Sequence, residues 1–146
     1  MSGSCDHRAM PTPRGRTPAQ LLGDAGEAIV EQHLIASGWQ VLGRNLHFGR
    51  SEIDILAIDP RPPPALVLVE VRWRAERSFG LPEESVDWRK RTRLRAALGR
   101  LLEAGCLPDG TALPMLPVRI DLVAVEPWPD GRAGARLRHH RSAVGS

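Results

Sequence analysis

The sequence predicts an α/β domain in which a mixed central sheet is flanked by helices. Two segments, opening near Thr17 and Asp87, repeat their apolar residues at helical spacing, whereas the runs between and after them are short, aliphatic and bounded by turn residues. The resulting order is helix, three strands, helix and strand, without an internal repeat, and such an order packs as layered helices on a sheet.

Residues 1–16 read as a flexible tail. Thr17-Pro18-Ala19-Gln20 then supplies an N-cap, a proline at the first helical position and a glutamine at the third, which starts a helix that Gly38 stops. Leu21, Leu22, Ala25, Ile29 and Ala36 are expected on its inner side, Asp24, Glu27 and Glu31 opposite, with Glu27 at the border beside Val30 and Leu34. Strands follow at Trp39–Leu42, Glu52–Ile58 and Leu66–Arg72. The last two are read as a hairpin, because the proline-rich Asp59–Pro64 connection can only be a stiff exposed loop. Leu94, Ala97, Leu98, Leu101 and Leu102 mark a helix over Asp87–Ala104, ended by Gly105. Val118–Val125 forms the last strand. The domain so drawn covers residues 17–126, about 110 positions, and 127–146, rich in glycine, arginine and histidine, reads as a flexible basic tail.

Composition narrows the class. No stretch approaches the roughly 20 apolar residues of a membrane span, and the N-terminus lacks the apolar middle of a secretory signal, so a cytoplasmic protein is expected. Cys5 and Cys106 belong to no C-x-x-C pair, which argues against a zinc site and a disulfide framework. The net charge is only +3, but the basic residues cluster: Arg72, Arg74 and Arg77 form one group, Arg89, Lys90, Arg91, Arg93 and Arg95 another. Such groups suit a polyanion, although a solvated helix face has the same composition. Lys90 is the sole lysine, a bias that an arginine-rich codon usage explains.

The chemistry concentrates where charge enters apolar strands. Alternation places Glu52, Asp54 and Leu56 on one face of their strand, and Glu70 and Arg72 on the face shared by Leu66 and Leu68. A buried ionised carboxylate without a partner costs several kcal/mol, so Asp54 and Glu70 need compensation. If the strands are neighbours, the two acids converge across the roughly 5 Å strand spacing onto one hard cation. Magnesium fits best, with manganese as its substitute. The competing reading is an internal ion pair of Asp54 or Glu70 with Arg72 or Arg74.

Five segments together then resemble a known group: Gly23-Asp24-Ala25-Gly26-Glu27, Gly38–Asn45, Ser51-Glu52-Ile53-Asp54-Ile55-Leu56-Ala57, Leu68-Val69-Glu70-Val71-Arg72-Trp73-Arg74 and Val118–Val125. In this order they resemble the YraN family, a bacterial group placed in the restriction-endonuclease-like PD-(D/E)xK superfamily. The resemblance implies that superfamily's helix, three strands, helix and strand core. It also implies Asp54 and Glu70 as metal ligands, Glu27 as a third acid reaching in from the first helix, and Glu52 near the rim. Two departures stand out. Ser51 replaces a glycine, and Arg72 replaces the active-site lysine; arginine is always protonated and cannot act as a base, but its fork can grip a phosphate and stabilise developing charge.

Around these acids Arg72, Arg74, Lys90, Arg91, Arg89 and Arg93 are the expected nucleic-acid contacts, Lys90 either on the substrate phosphate or snorkelling over the core rim, Arg89 and Arg93 on the backbone without sequence preference. Trp73 and Trp88 flank the acids and are read either as packing residues or as platforms for unpaired bases, the first being the commoner use of tryptophan; neither they nor His139 and His140 receive a role. The implied function is Mg-dependent endonuclease-like hydrolysis of DNA phosphodiesters. The alternative is a non-catalytic nucleic-acid-binding module of the same fold, which Arg72 favours. Nucleic acid, DNA first, is the expected partner; no membrane is, and a homodimer is left open.

Overall fold

The computed structural model of the chain describes residues 18–73, 88–128, 130 and 134–142, with the backbone alone at 18–23, 88–91 and 127. Its elements are α1 (Pro18–Ala36), β1 (Gln40–Phe48), β2 (Ser51–Asp59), β3 (Ala65–Trp73), α2 (Trp88–Ala104), β4 (Val118–Pro127) and β5 (Ala135–His140). The strands form one mixed sheet in the order β1-β2-β3-β4-β5. β1–β2, β2–β3 and β4–β5 are antiparallel, and β3–β4 is parallel.

The parallel pair needs a crossover, and α2 lies within the connection that supplies it. Leu94, Ala97 and Leu101 of α2 pack with Leu56, Leu66, Leu68 and Leu122 on one side of the sheet. Val30 and Leu34 of α1 pack with Ile55, Val67, Val69 and Val123 on the other. The protein is therefore a three-layer α/β unit whose central strands are covered on both faces, which explains why β3 reads as an unbroken apolar run. Among the described residues no helix is long and apolar enough to cross a membrane.

Two sequence expectations are corrected. The buried stripe of α1 runs through Gly26, Glu27, Val30 and Leu34, whereas Ala25 and Ala36 are exposed and Ile29 only half-buried. Gly26 is the reason. A Cβ there would stand 3.3 Å from Trp73 Cε3, 3.6 Å from Val71 Cγ1 and 3.9 Å from Val125 Cγ2, so the missing side chain lets this face of the helix settle on β3 and β4. Glu27, next in sequence, is carried inward with it. Gly26→Leu is expected to cost about 1–3 kcal/mol by overpacking this contact, read as a lower urea midpoint, and Gly26→Ala much less because alanine's helix propensity offsets the crowding.

The second correction concerns the C-terminus. Ala135–His140 is not a flexible tail but the edge strand β5, paired with β4 from Leu122↔His140 to Pro127↔Ala135. Its sequence has few apolar residues, and ions hold it. Arg136 and Arg138 both bond Glu126, and His139 Nε2 lies 2.8 Å from Asp121 Oδ2. Cys106 is buried, and Cys5 lies outside the described residues. The expected N-terminal tail lies outside them as well.

Candidate functional site

Asp54 occupies an irregular point in the sheet. Arg44 pairs with Ile55 and Leu46 with Ile53, but between these pairs stands Asn45, whose φ of 54° is left-handed. Both strands change faces there. Ile53 joins the cluster under α2 while Ile55 joins the cluster under α1, although simple alternation would put them on one side. The expected sharing of one face by Asp54 and Leu56 is thus replaced by a twist centred on Asp54.

The same point ends the β2–β3 ladder, whose last pair toward this end is Ile55↔Val69. Beyond it Glu70 to Trp73 pair with β4 alone. A strand edge left open inside a covered sheet would orphan its amides. Asp54 fills that need, because the Val71 amide donates to its Oδ2 at 2.9 Å. Glu70 also stands close enough for its charge to act strongly on Asp54, so the structure brings together the two acids that the sequence singled out.

This pairing has an electrostatic cost. Burial, then the Glu70 charge, push the Asp54 carboxyl up to about 8, against the opposing effect of the Val71 amide, with Glu27 adding to the rise. Glu27 itself is raised to about 7, first by burial and further by Asp24, Glu52 and Glu70, while Arg44 lowers it. Its Oε1 is buried without a hydrogen-bond partner. Three elements, α1, β2 and β3, therefore bring like charges to one place. Among the described residues no set of three or more His, Cys, Asp or Glu side chains is arranged to hold a metal ion. The close pair is Asp54 and Glu70, and Glu27 joins it through its charge.

A cleft of about 320 Å³ opens beside Glu70. Glu52 and Glu70 contribute acid to its wall, and Arg50, Arg93 and Arg100 contribute cations from the β1–β2 turn and from α2. Gly49, at a φ of 63°, makes this turn; a Cβ on it would come within 2.6 Å of Arg100 Nη1, so the turn and α2 are closely fitted. Arg93 was expected near the acids, and Arg50 and Arg100 were not. Nor was Arg44, the cation with the largest effect on Glu27, which also pairs with Glu31 at 3.0 Å. Arg44 lies in a quoted motif, but its meaning depends on a helix thirteen residues away in sequence. Arg72 is half-buried on β3 opposite Ala124. Trp73 packs on α1 and β4 with the core. Arg74 and the side chains of Trp88, Arg89, Lys90 and Arg91 lie outside the described residues.

The model of a family described as "Uncharacterised protein family UPF0102" matches residues 26–125. The chain belongs to UPF0102. This is the group to which the five motifs pointed under the name YraN. A UPF0102 protein of Symbiobacterium thermophilum is 41% identical over 120 residues, covering 82% of this chain and 93% of its own length. One from Chlorobaculum tepidum is 41% identical over 107 residues, 73% and 75% of the two chains, and one from Clavibacter michiganensis is 40% identical over 115 residues, 79% and 89%. Among solved structures, Pyrococcus furiosus SfsA in complex with Ca2+ matches with a TM-score of 0.32 at 14% identity, over 90% of this chain and 74% of that one, too slight a likeness to carry an argument. The UPF0102 match encloses Glu27, Asp54, Glu70, Arg72 and all of α2, and β5 lies beyond it.

Proposed function

We propose that this UPF0102 protein binds nucleic acid and hydrolyses DNA phosphodiester bonds with Mg2+, or Mn2+ in its place, on a restriction-endonuclease-like core. The observation that carries this reading is the meeting of Asp54 and Glu70, with Glu27 behind them, at the open end of the β2–β3 ladder beside a cleft walled by arginines.

The residues suit a hard divalent cation. They are oxygen donors only, mutually repelling when ionised, and one buried oxygen, Glu27 Oε1, has no hydrogen-bond partner. Asp54 and Glu70 would hold the ion and Glu27 would complete its charge balance. When bound, the ion would lower the pKa of a water and offset charge on the scissile phosphate. Arg50, Arg93 and Arg100 bind and orient the phosphate chain along the cleft. Arg72, permanently charged, stabilises the phosphate without taking a proton.

The test is incubation of the full chain with flaps, junctions, single strands and duplexes in Mn2+. Cleavage is expected to fall by about 100-fold or more in Asp54→Ala and in Glu70→Ala. Activity that survives both changes defeats the proposal. Binding should weaken as salt rises, and Arg93→Ala with Arg100→Ala should reduce the salt slope by about 2.

Arg72 in place of lysine favours a second reading, a binding module of the same fold that does not cleave. Under it, the salt-dependent binding remains, every substrate stays intact, and Arg72→Lys does not change that.

A further inference from the structure

At the other end of the same strands lies a larger cavity, of about 850 Å³, which falls in the range of small-ligand sites. The register places it at Leu66↔Val118, whereas the acids lie at Glu70↔Leu122. Strand rise separates the two by roughly 13 Å. None of the acids treated above lines this cavity.

Its wall carries four arginines from four separate parts of the fold: Arg61 from the β2–β3 connection, Arg95 from α2, Arg119 from β4 and Arg141 just after β5. Asp59 is the one carboxylate among the described lining residues, and both its oxygens are already engaged. Oδ1 accepts from the Arg61 amide at 3.1 Å and Oδ2 from Arg119 Nη2 at 3.0 Å. Counted over the described lining residues, the wall is therefore net positive. Its remaining surface is largely apolar, with Pro62, Pro63, Leu98 and Ile120 facing the space.

Arg119 is fixed before any ligand arrives. Its Nε and Nη2 bond Asp121 Oδ1 and Oδ2 at 2.8 and 2.9 Å, and its guanidinium carbon lies 5.8 Å from the Trp39 ring centroid. A cation held on three sides loses little freedom on meeting an anion, which is how preorganised sites gain affinity. A cavity with cations on the rim and proline and leucine inside suits a ligand with a phosphate at one end and a flat apolar ring at the other.

We propose that this cavity binds a nucleoside phosphate, its phosphate on Arg61, Arg119 and Arg141 and its base against the prolines and Leu98. The site is independent of the acids at the opposite strand ends. Free nucleotides and the phosphorylated terminus of a nucleic-acid strand share this chemistry.

Calorimetric titration of the full chain with ADP and with inorganic phosphate tests it. ADP should bind at least about tenfold more tightly than phosphate, and its affinity should fall as salt rises. Arg61→Ala combined with Arg141→Ala should weaken ADP by about tenfold or more while the thermal midpoint stays near that of the parent, because both side chains are on the surface. Asp54→Asn should bind ADP as the parent does, which separates failure here from failure at the acids. Displacement of ADP by a short 5′-phosphorylated strand, and not by its unphosphorylated twin, would identify a strand end as the source; displacement by neither would identify free nucleotide. Equal affinity for ADP and phosphate, or parental affinity in the double variant, overturns the proposal.

Discussion

Addition of Mn2+ or Mg2+ at pH 8 is expected to raise the thermal midpoint by about 10 °C when the ion is a hundredfold above its Kd, since an ion that binds only the folded chain adds about 2.7 kcal/mol. Asp54→Asn should abolish that rise and, without the ion, be more stable than the parent. The amide keeps an acceptor for the Val71 N–H and removes the charge that Glu70 and Glu27 repel. The pH dependence follows from the same groups. A carboxyl raised from 3.8 to about 8 holds a proton in the folded chain that the unfolded chain has lost, so stability declines as pH rises from about 4 to 8. Glu27, raised from 4.5 to about 7, acts in the same direction. The metal-free protein should therefore gain on the order of a few kcal/mol between pH 8 and pH 5, and saturating ion should flatten the curve, because binding needs the ionised acids. Melts across this range, with and without the ion, decide it; an indifferent midpoint ends the metal-site reading.

Asp121→Ala should destabilise the fold by about 3–5 kcal/mol, the usual cost of removing one partner from a buried charge network. Asp121 is 0% exposed and accepts bonds from Arg119 Nε and Nη2 and from the Ser142 amide, with His139 Nε2 2.8 Å away. Burial opposes its ionisation, yet the bonds from His139, Arg119 and Ser142 hold its carboxyl below the usual range. Here the sign is opposite to that of Asp54: the stabilisation is present above the unfolded value of 3.8 and is lost as acid protonates the folded group. Urea unfolding measures the loss, and hydrogen exchange over 135–140 should show β5 opening first. A cost below about 1 kcal/mol would mean that the network does not anchor β5. Together the two sets of acids place maximum stability of the metal-free protein in mildly acidic solution.

Periodicity was sufficient for α1, β2, β3, α2 and β4, because each has enough apolar residues to report its own geometry. The inner face of α1 was misread because Gly26, which carries no hydropathy signal, decides which side can approach β3. β5 was missed for a related reason. Ala135, Leu137 and His139 do alternate with Arg136, Arg138 and His140, but the partners that make this a strand, Glu126 and Asp121, lie on β4. At the site, the meeting of Asp54 and Glu70 was legible from charges set in apolar strands. The face change at Asn45 was not, since a left-handed residue leaves no mark on alternation. Arg50 and Arg100 escaped notice because the turn and the helix that bring them together are distant in the chain.

The β2–β3 hairpin is clamped by side chains at both extremities. Asp54 receives the Val71 amide at one, and Asp59 receives Arg61 and Arg119 at the other. Apolar strands that are covered on both sides have little in their own composition to forbid slippage, since a valine or leucine is accepted by either layer. A shift by a single residue would here detach both clamps together. These two carboxylates thus also act as alignment pins, which ties correct strand pairing to the positions of Asp54 and Asp59.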